Sequence, residues 1–255
     1  TAQDFCTLVD YDKDGEQKVL AAALYRFDEM SYADAIAHVK ALKKAERVQL
    51  AESLLGRLNR HDIPLRELEY CNYTFDLVMD QGAYAEFKRH RMMTQTPQAL
   101  TARLGYALPR QMVAAGMEVP FRQAMRAAQE CYEEIAALHP NAASYVVPNA
   151  FNRRVLLDSN WRSLDHFIAL RSAPNAHFSL RRVAQRIGHA VNEPREFVGR
   201  LGRIATPTAD DDRHRHGHAA LARRAVGRAD QRVDRLVEVG IGHHHHVVLR
   251  AAERL

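Results

Sequence analysis

Two arginines and a histidine stand together at Arg89-His90-Arg91, directly after Phe87-Lys88. Guanidinium groups are forked donors that match phosphate and carboxylate, and an imidazole beside them can donate, accept or carry a proton. Gathered on one short turn, they would converge on an anionic ligand. A second polar set reads Asn160-x-Arg162-Ser163-Leu164-x-His166-Phe167-x-x-Leu170-Arg171. Read as a helical segment, this spacing places Arg162 and His166 on one side with Asn160 near them, a face able to hold a phosphorylated aromatic ligand. The plainer reading is that Arg162 and Arg171 only pair with Asp158, Asp165 or glutamates on a solvated surface.

Both sets need elements to position them. Tyr73 to Met79 alternates as a strand should, and Gln81-Gly82 turns it into a short helix or bend, Ala83 to Phe87, that delivers the first cluster. Upstream, Phe5 to Val9 is a short apolar start and Gln17 to Arg26 a helical run. Ser31 has the character of an N-cap for a helix through Ile36, Val39 and Leu42, and Val48, Leu50, Leu54, Leu55 and Leu58 share one face of the next. Pro64 marks a break. Phe121, Met125, Ala128, Tyr132 and Ile135 recur at helical spacing between Pro120 and Leu138, and Pro140-Asn141 ends that helix. The second set lies in a run from Phe151 to Leu170, and Ala176 to Ile187 is helical again, with Arg181, Arg182 and Arg186 facing outward or toward a ligand. Asp10, Asp12 and Asp14 imitate the front of a calcium loop, but its twelfth position is Ala21, so a solvated turn is the expectation.

The chain has 255 residues, 47% of them apolar, enough for a sizeable core. No apolar run reaches bilayer length and no signal-peptide pattern opens the chain, which favours a soluble protein of the cytoplasm. Cys6, Cys71 and Cys131 lack metal-ligand spacing and read as reduced thiols. The formal charge is +5, and no lysine follows Lys88, so arginine carries the positive charge of the second half. That suits an anionic small molecule. A nucleic-acid binding module is a weaker alternative, because no recognisable binding motif accompanies the charge. The chain starts at Thr1, which fits a fragment or the later half of a longer polypeptide. After Gly188 the composition shifts: residues 188–255 hold eight of the fourteen histidines and one aromatic residue, Phe197. A basic tail or a shifted reading frame would produce this usage. His243 to His246, with His214, His216 and His218, could take up a transition metal opportunistically, and no functional metal site is expected.

Arg89-His90-Arg91-Met92-Met93-Thr94 and Asn160-Trp161-Arg162-Ser163-Leu164-Asp165-His166-Phe167-Ile168-Ala169-Leu170-Arg171 together resemble the two signatures of the flavin-dependent thymidylate synthases, in the same order and with similar apolar framing. The resemblance covers residues 61–187, with 1–60 as an N-terminal helical segment and 188–255 as the tail. It implies an α/β (α+β) fold with helices on a mixed sheet, and an oligomer, a homotetramer or a pairing with a tandem partner domain. The implied chemistry is reductive methylation of deoxyuridine monophosphate (dUMP), with methylenetetrahydrofolate as one-carbon donor, NADPH as reductant and FAD as the carrier of the hydride. On that resemblance Arg89, His90 and Arg91 contact flavin and nucleotide, and Asn160 and Arg162 hold FAD. His166 replaces an asparagine there, and Arg171 stabilises charge on the pyrimidine during activation.

The chain departs from the family pattern at several places. Pro97, Ala99 and Thr101 stand where a glutamate, a serine and an arginine grip the nucleotide. Ser144 replaces an arginine, Ile63 a threonine and Glu86 a glutamine. Arg103 and Tyr106 could restore an arginine and a tyrosine through a short insertion, which makes Arg103 a candidate substrate ligand. These losses favour, as the alternative, a catalytically degenerate structural domain that supports oligomer assembly.

Overall fold

Strand β2 (Asn72–Asp80) buries Tyr73, Phe75, Leu77 and Met79 on one side and leaves Thr74, Asp76 and Val78 partly covered on the other. That alternation is what a pleated strand with one face toward a core requires. Strand β4 (Asn152–Asn160) pairs with β2 along its full length, from Asn72 opposite Asn160 to Asp80 opposite Asn152. Strand β1 (Cys6–Tyr11) flanks β2, and β3 (Thr94–Pro97) flanks β4. The computed structural model, which describes residues 5–55 and 63–192, therefore holds a four-stranded sheet in the order β1-β2-β4-β3.

The α/β (α+β) architecture is as expected, but the sheet is not mixed, since every pairing is antiparallel. The reason is where β4 inserts. It lies between β2 and β3, which run in the same direction, so they never become neighbours. The first sixty residues, read as a helical segment, also supply β1, whose ladder with β2 ties them into the same sheet.

Helices cover the inner face. In α8 (Phe178–Asn192) Leu180, Val183, Ala184, Ile187 and Val191 are buried at helical spacing. The helix thus continues past Gly188, where the compositional change begins. Helix α1 (Gly15–Phe27) buries Val19 to Ala23, and the small residues Ala21 to Ala23 let α2 (Tyr32–Ala41) pack against it. Ser31 caps α2 through Asp34 N–H, as its residue type predicts. Helix α3 (Lys44–Leu55) follows. The aspartate turn is held by the protein's own donors: Asp12 accepts from Lys18 Nζ at 2.9 Å and, across 60 positions, from Asn72 N–H at 3.1 Å.

Between β3 and β4 the chain makes an excursion with α5 (Arg110–Ala114) and α6 (Glu118–Leu138). Met125 and Tyr132 of α6 join Ala102, Ala143 and Phe151 in a second, smaller core, with Phe121, Ala128 and Ile135 packed beside it. This excursion returns through a bridge between Tyr106 and Phe151, and Gly105 adopts the left-handed conformation (φ 69°) that opens the turn. Among the described residues no helix is long and apolar enough to cross a membrane. Leu58, His61, the tail beyond 192 and its histidine clusters lie outside the described residues.

Candidate functional site

The paired strands also set up the site. Helix α4 (Gln81–Phe87) starts where β2 ends, because Asp80 is extended (φ −66°, ψ 154°) and its Oδ1 accepts from Ala83 N–H at 2.8 Å. Helix α7 (Trp161–Arg171) starts where β4 ends by the same device, Asn160 accepting from Ser163 N–H at 2.9 Å. The run from Phe151 to Leu170 is thus strand and then helix, broken at a capping asparagine. Since β2 and β4 are antiparallel and in register, the two helices begin at opposite ends of the pair and run toward one another. Seven and eleven helical residues span together ~27 Å, close to the ~30 Å of a nine-residue strand. Their C-terminal ends therefore meet.

At that meeting point Phe87 packs edge-on against Phe167 (5.3 Å between ring centroids), and His90 packs edge-on against the same ring (4.9 Å). Arg171 donates from Nε to His90 Nε2 at 3.0 Å and pairs through Nη1 with Glu86 Oε2 at 3.0 Å. Gln95 of β3 holds the turn from beneath, its Nε2 donating to His90 O at 3.0 Å and to Phe87 O at 3.3 Å. His166 completes the group, its ring centred 6.4 Å from that of His90.

The histidine is not a third cation. Burial, then Arg171, then His166 push its pKa down from 6.5 to about 4. Accepting at Nε2 leaves the ring proton on Nδ1 of a neutral imidazole. Arg89 and Arg91 flank it with exposed side chains that have no hydrogen-bond or ion-pair partner among the described residues. Lys88 is exposed as well, so cationic side chains outnumber the Glu86 carboxylate around the turn.

The structure brings together His90, Arg171 and His166, with Arg89 and Arg91 on the adjoining turn. Asn160 caps α7 and Arg162 lies in its first turn, nine residues from Arg171, or ~14 Å along the axis. Asn160 spends its side-chain oxygen on the cap. Arg162 donates from Nε to Pro64 O at 3.1 Å and from Nη1 to Glu69 Oε1 at 3.0 Å. Glu69 in turn is held below its usual carboxylate range by the Arg66 hydrogen bond, with Arg162 contributing. Arg103 lies with the second core, forked onto Glu133 at 2.9 and 2.6 Å and stacked over Tyr132. The surface-pairing reading thus names the right residue types, but the partners are Glu69 and Glu86 rather than Asp158 and Asp165. Asp158 accepts from Thr74 Oγ1 at 2.7 Å. The outer arginines of α8 have other engagements: Arg181 donates to Pro174 O and Arg182 stacks over Phe5. Glu69 and Gln95 carry no signal in the sequence: Glu69 acts across 93 positions, and Gln95 reaches the turn only because β3 folds back beneath it.

The chain is similar in sequence and in fold to known proteins. The sequence profile of the family described as thymidylate synthase complementing protein matches residues 7–194. A UPF0159 protein of Chlamydia muridarum is 40% identical over 178 residues, covering 69% of this chain and 34% of that protein. One of Thermoplasma acidophilum is 31% identical over 185 residues, covering 71% and 37%. The chain thus spans about a third of the length of these relatives. Among solved structures, the fold is similar to flavin-dependent thymidylate synthase ThyX of Helicobacter pylori complexed with FAD and dUMP. One such structure has a TM-score of 0.53 at 18% identity over 73% of this chain and 93% of the other. A second has 0.55 at 16% identity over 79% and 99%. With residues 7–194, most of its length, matched by the family profile, this chain belongs to the thymidylate synthase complementing protein family.

Proposed function

We propose that this chain is a flavin-dependent thymidylate synthase module acting on deoxyuridine monophosphate with methylenetetrahydrofolate, NADPH and FAD, within an oligomer or beside a tandem partner. The observation that carries the reading is the 3.0 Å hydrogen bond from Arg171 to His90, which joins the two signature segments across 81 positions of sequence.

The residues present fit an anionic cofactor at one end of the site. Arg89 and Arg91 offer two uncommitted guanidinium groups, and exposed His166 stands beside His90 of the same turn, a donor set suited to a diphosphate. These three would hold FAD, whereas Asn160 and Arg162 act by fixing the start and the flank of α7. FAD, when bound, supplies carriage of reducing equivalents from NADPH to the transferred one-carbon unit. The protein's own share is positional. His90 is held neutral and oriented by Arg171 and Phe167, so its Nδ1–H is a fixed donor to a ligand carbonyl or ring nitrogen. The buried Phe87 and Phe167 rings keep water from the inner side of the cluster. Arg171 would be the cation that stabilises negative charge developing on a bound pyrimidine.

A second reading is favoured by Glu86, which already neutralises Arg171. In it the module lends flavin-side residues and scaffolding to a competent partner and does not itself turn over. The test is the visible absorbance of the full chain with FAD, followed by titration of deoxyuridine monophosphate. Flavin bands that shift with the nucleotide support synthesis. Absence of flavin binding refutes the cofactor reading for this chain.

A further inference from the structure

Arg171 is a cation whose charge is already answered. Glu86 Oε2 lies 3.0 Å from its Nη1, His90 Nε2 takes its Nε proton at 3.0 Å, and its place in the last turn of α7 sets it against the partial negative charge of the helix end. Its side chain is 18% exposed, so these partners act with little solvent between them. Only Nη2 has no hydrogen-bond partner among the described residues. An anionic group approaching this guanidinium meets the Glu86 carboxylate across the same donor, and like charges repel. A neutral carbonyl meets no such opposition and can accept from Nη2 without displacing Glu86. A few residues away, Arg89 and Arg91 have no counter-ion among the described residues. A carboxylate fixed against one cation and absent from its neighbours is a means of discrimination, since selectivity comes as much from built-in opposition as from attraction.

We propose that Glu86 is a selectivity-determining residue: it holds Arg171 as a hydrogen-bond donor to a neutral carbonyl of the ligand and turns anionic groups toward Arg89 and Arg91. This rests on the reading that Arg171 faces the ligand. It adds to that reading a division of the site into a neutral and an anionic half, with Glu86 as the divider.

The experiment is a titration of the full chain with inorganic phosphate, followed by NMR at the His90 ring, which touches Arg171 and so reports its occupancy. In the native chain phosphate leaves the His90 signal in place. In Glu86→Gln it moves the signal saturably, with affinity at least about tenfold higher than in the native chain. Adding Arg171→Met to that variant removes the response. Glu86 is one-third exposed on a short helix, and Glu86→Ala, which also removes the carboxylate, should behave as Glu86→Gln does. An equal response in the native chain and Glu86→Gln overturns the proposal, as does a response that survives the loss of Arg171. Because this titration needs no flavin, its outcome is independent of the absorbance test of function. A chain that fails to bind FAD but gains phosphate at Arg171 in Glu86→Gln refutes the cofactor reading and leaves this one standing.

Discussion

Acidification should destabilise this protein through one ring. His90 has its pKa lowered from 6.5 to about 4, so between those values the unfolded chain binds a proton that the folded chain refuses. Stability from this group is fully present above pH 6.5 and is lost as pH falls toward 4. A shift of that size corresponds to ~3 kcal/mol if wholly expressed, and a half-buried ring retains about half of it, ~1.5 kcal/mol, after solvent screening. Urea denaturation across the window, for the native chain and for His90→Gln, isolates the effect, because glutamine can still accept from Arg171 but does not titrate. The difference between the two stability profiles should change by ~1 to 2 kcal/mol as pH crosses the window and be flat above it. An NMR titration reads the ring directly. In Arg171→Met the pKa should rise only part of the way back, because burial, the largest cause, remains. A native ring that titrates near 6.5, or a flat difference between the profiles, would refute the assignment of a neutral, half-buried His90.

Two further outcomes test the elements that position the site. Asn160→Ala removes the oxygen that caps α7 and should cost about 1 kcal/mol in chemical denaturation, with a smaller loss for Asn160→Asp, which can still cap. Gly15→Ala would drive a methyl into Cys71 Sγ and to 3.0 Å from Asp12 Cβ, so a loss of roughly 1 to 3 kcal/mol is expected, partly relieved by Cys71→Ala. Equal stability of Gly15→Ala and the native chain would show that the contact yields without strain.

Much of this fold is legible because its signals are local. The alternation of Tyr73 to Met79 is enough for β2, the spacing of Phe121 to Ile135 for α6, and the hydroxyl of Ser31 for a cap. Other features depend on partners that no window of sequence contains. Nothing in Phe5 to Val9 says that it will pair with β2. The direction of the sheet depends on β4 entering between β2 and β3, a choice made by the long excursion that holds α5 and α6. Asn160 stands out in the sequence by its polarity, but its role as the point where strand becomes helix depends on φ and ψ there. The two signature segments were visible as chemistry, and their contact follows from it. That Arg162 would be taken by Glu69, Arg103 by Glu133 and Arg171 by Glu86 was not visible, because an ion pair is a property of where side chains end up.

The amide of Gln95 links a four-residue strand to the arginine turn, and this makes strand registry a determinant of chemistry. β3 meets β4 at only Thr94 to Pro97, and alternate side chains point to opposite faces. A slip of one position along β4 would carry Gln95 to the outer face and release the carbonyls of Phe87 and His90 together. Arg89 and Arg91 would stay in the chain yet lose their fixed origin relative to α7. The spacing of the cationic turn from Arg171 is thus measured out from the shortest ladder in the sheet, so substitutions at Thr94, Thr96 or Leu156, which set the register of that ladder, can retune it.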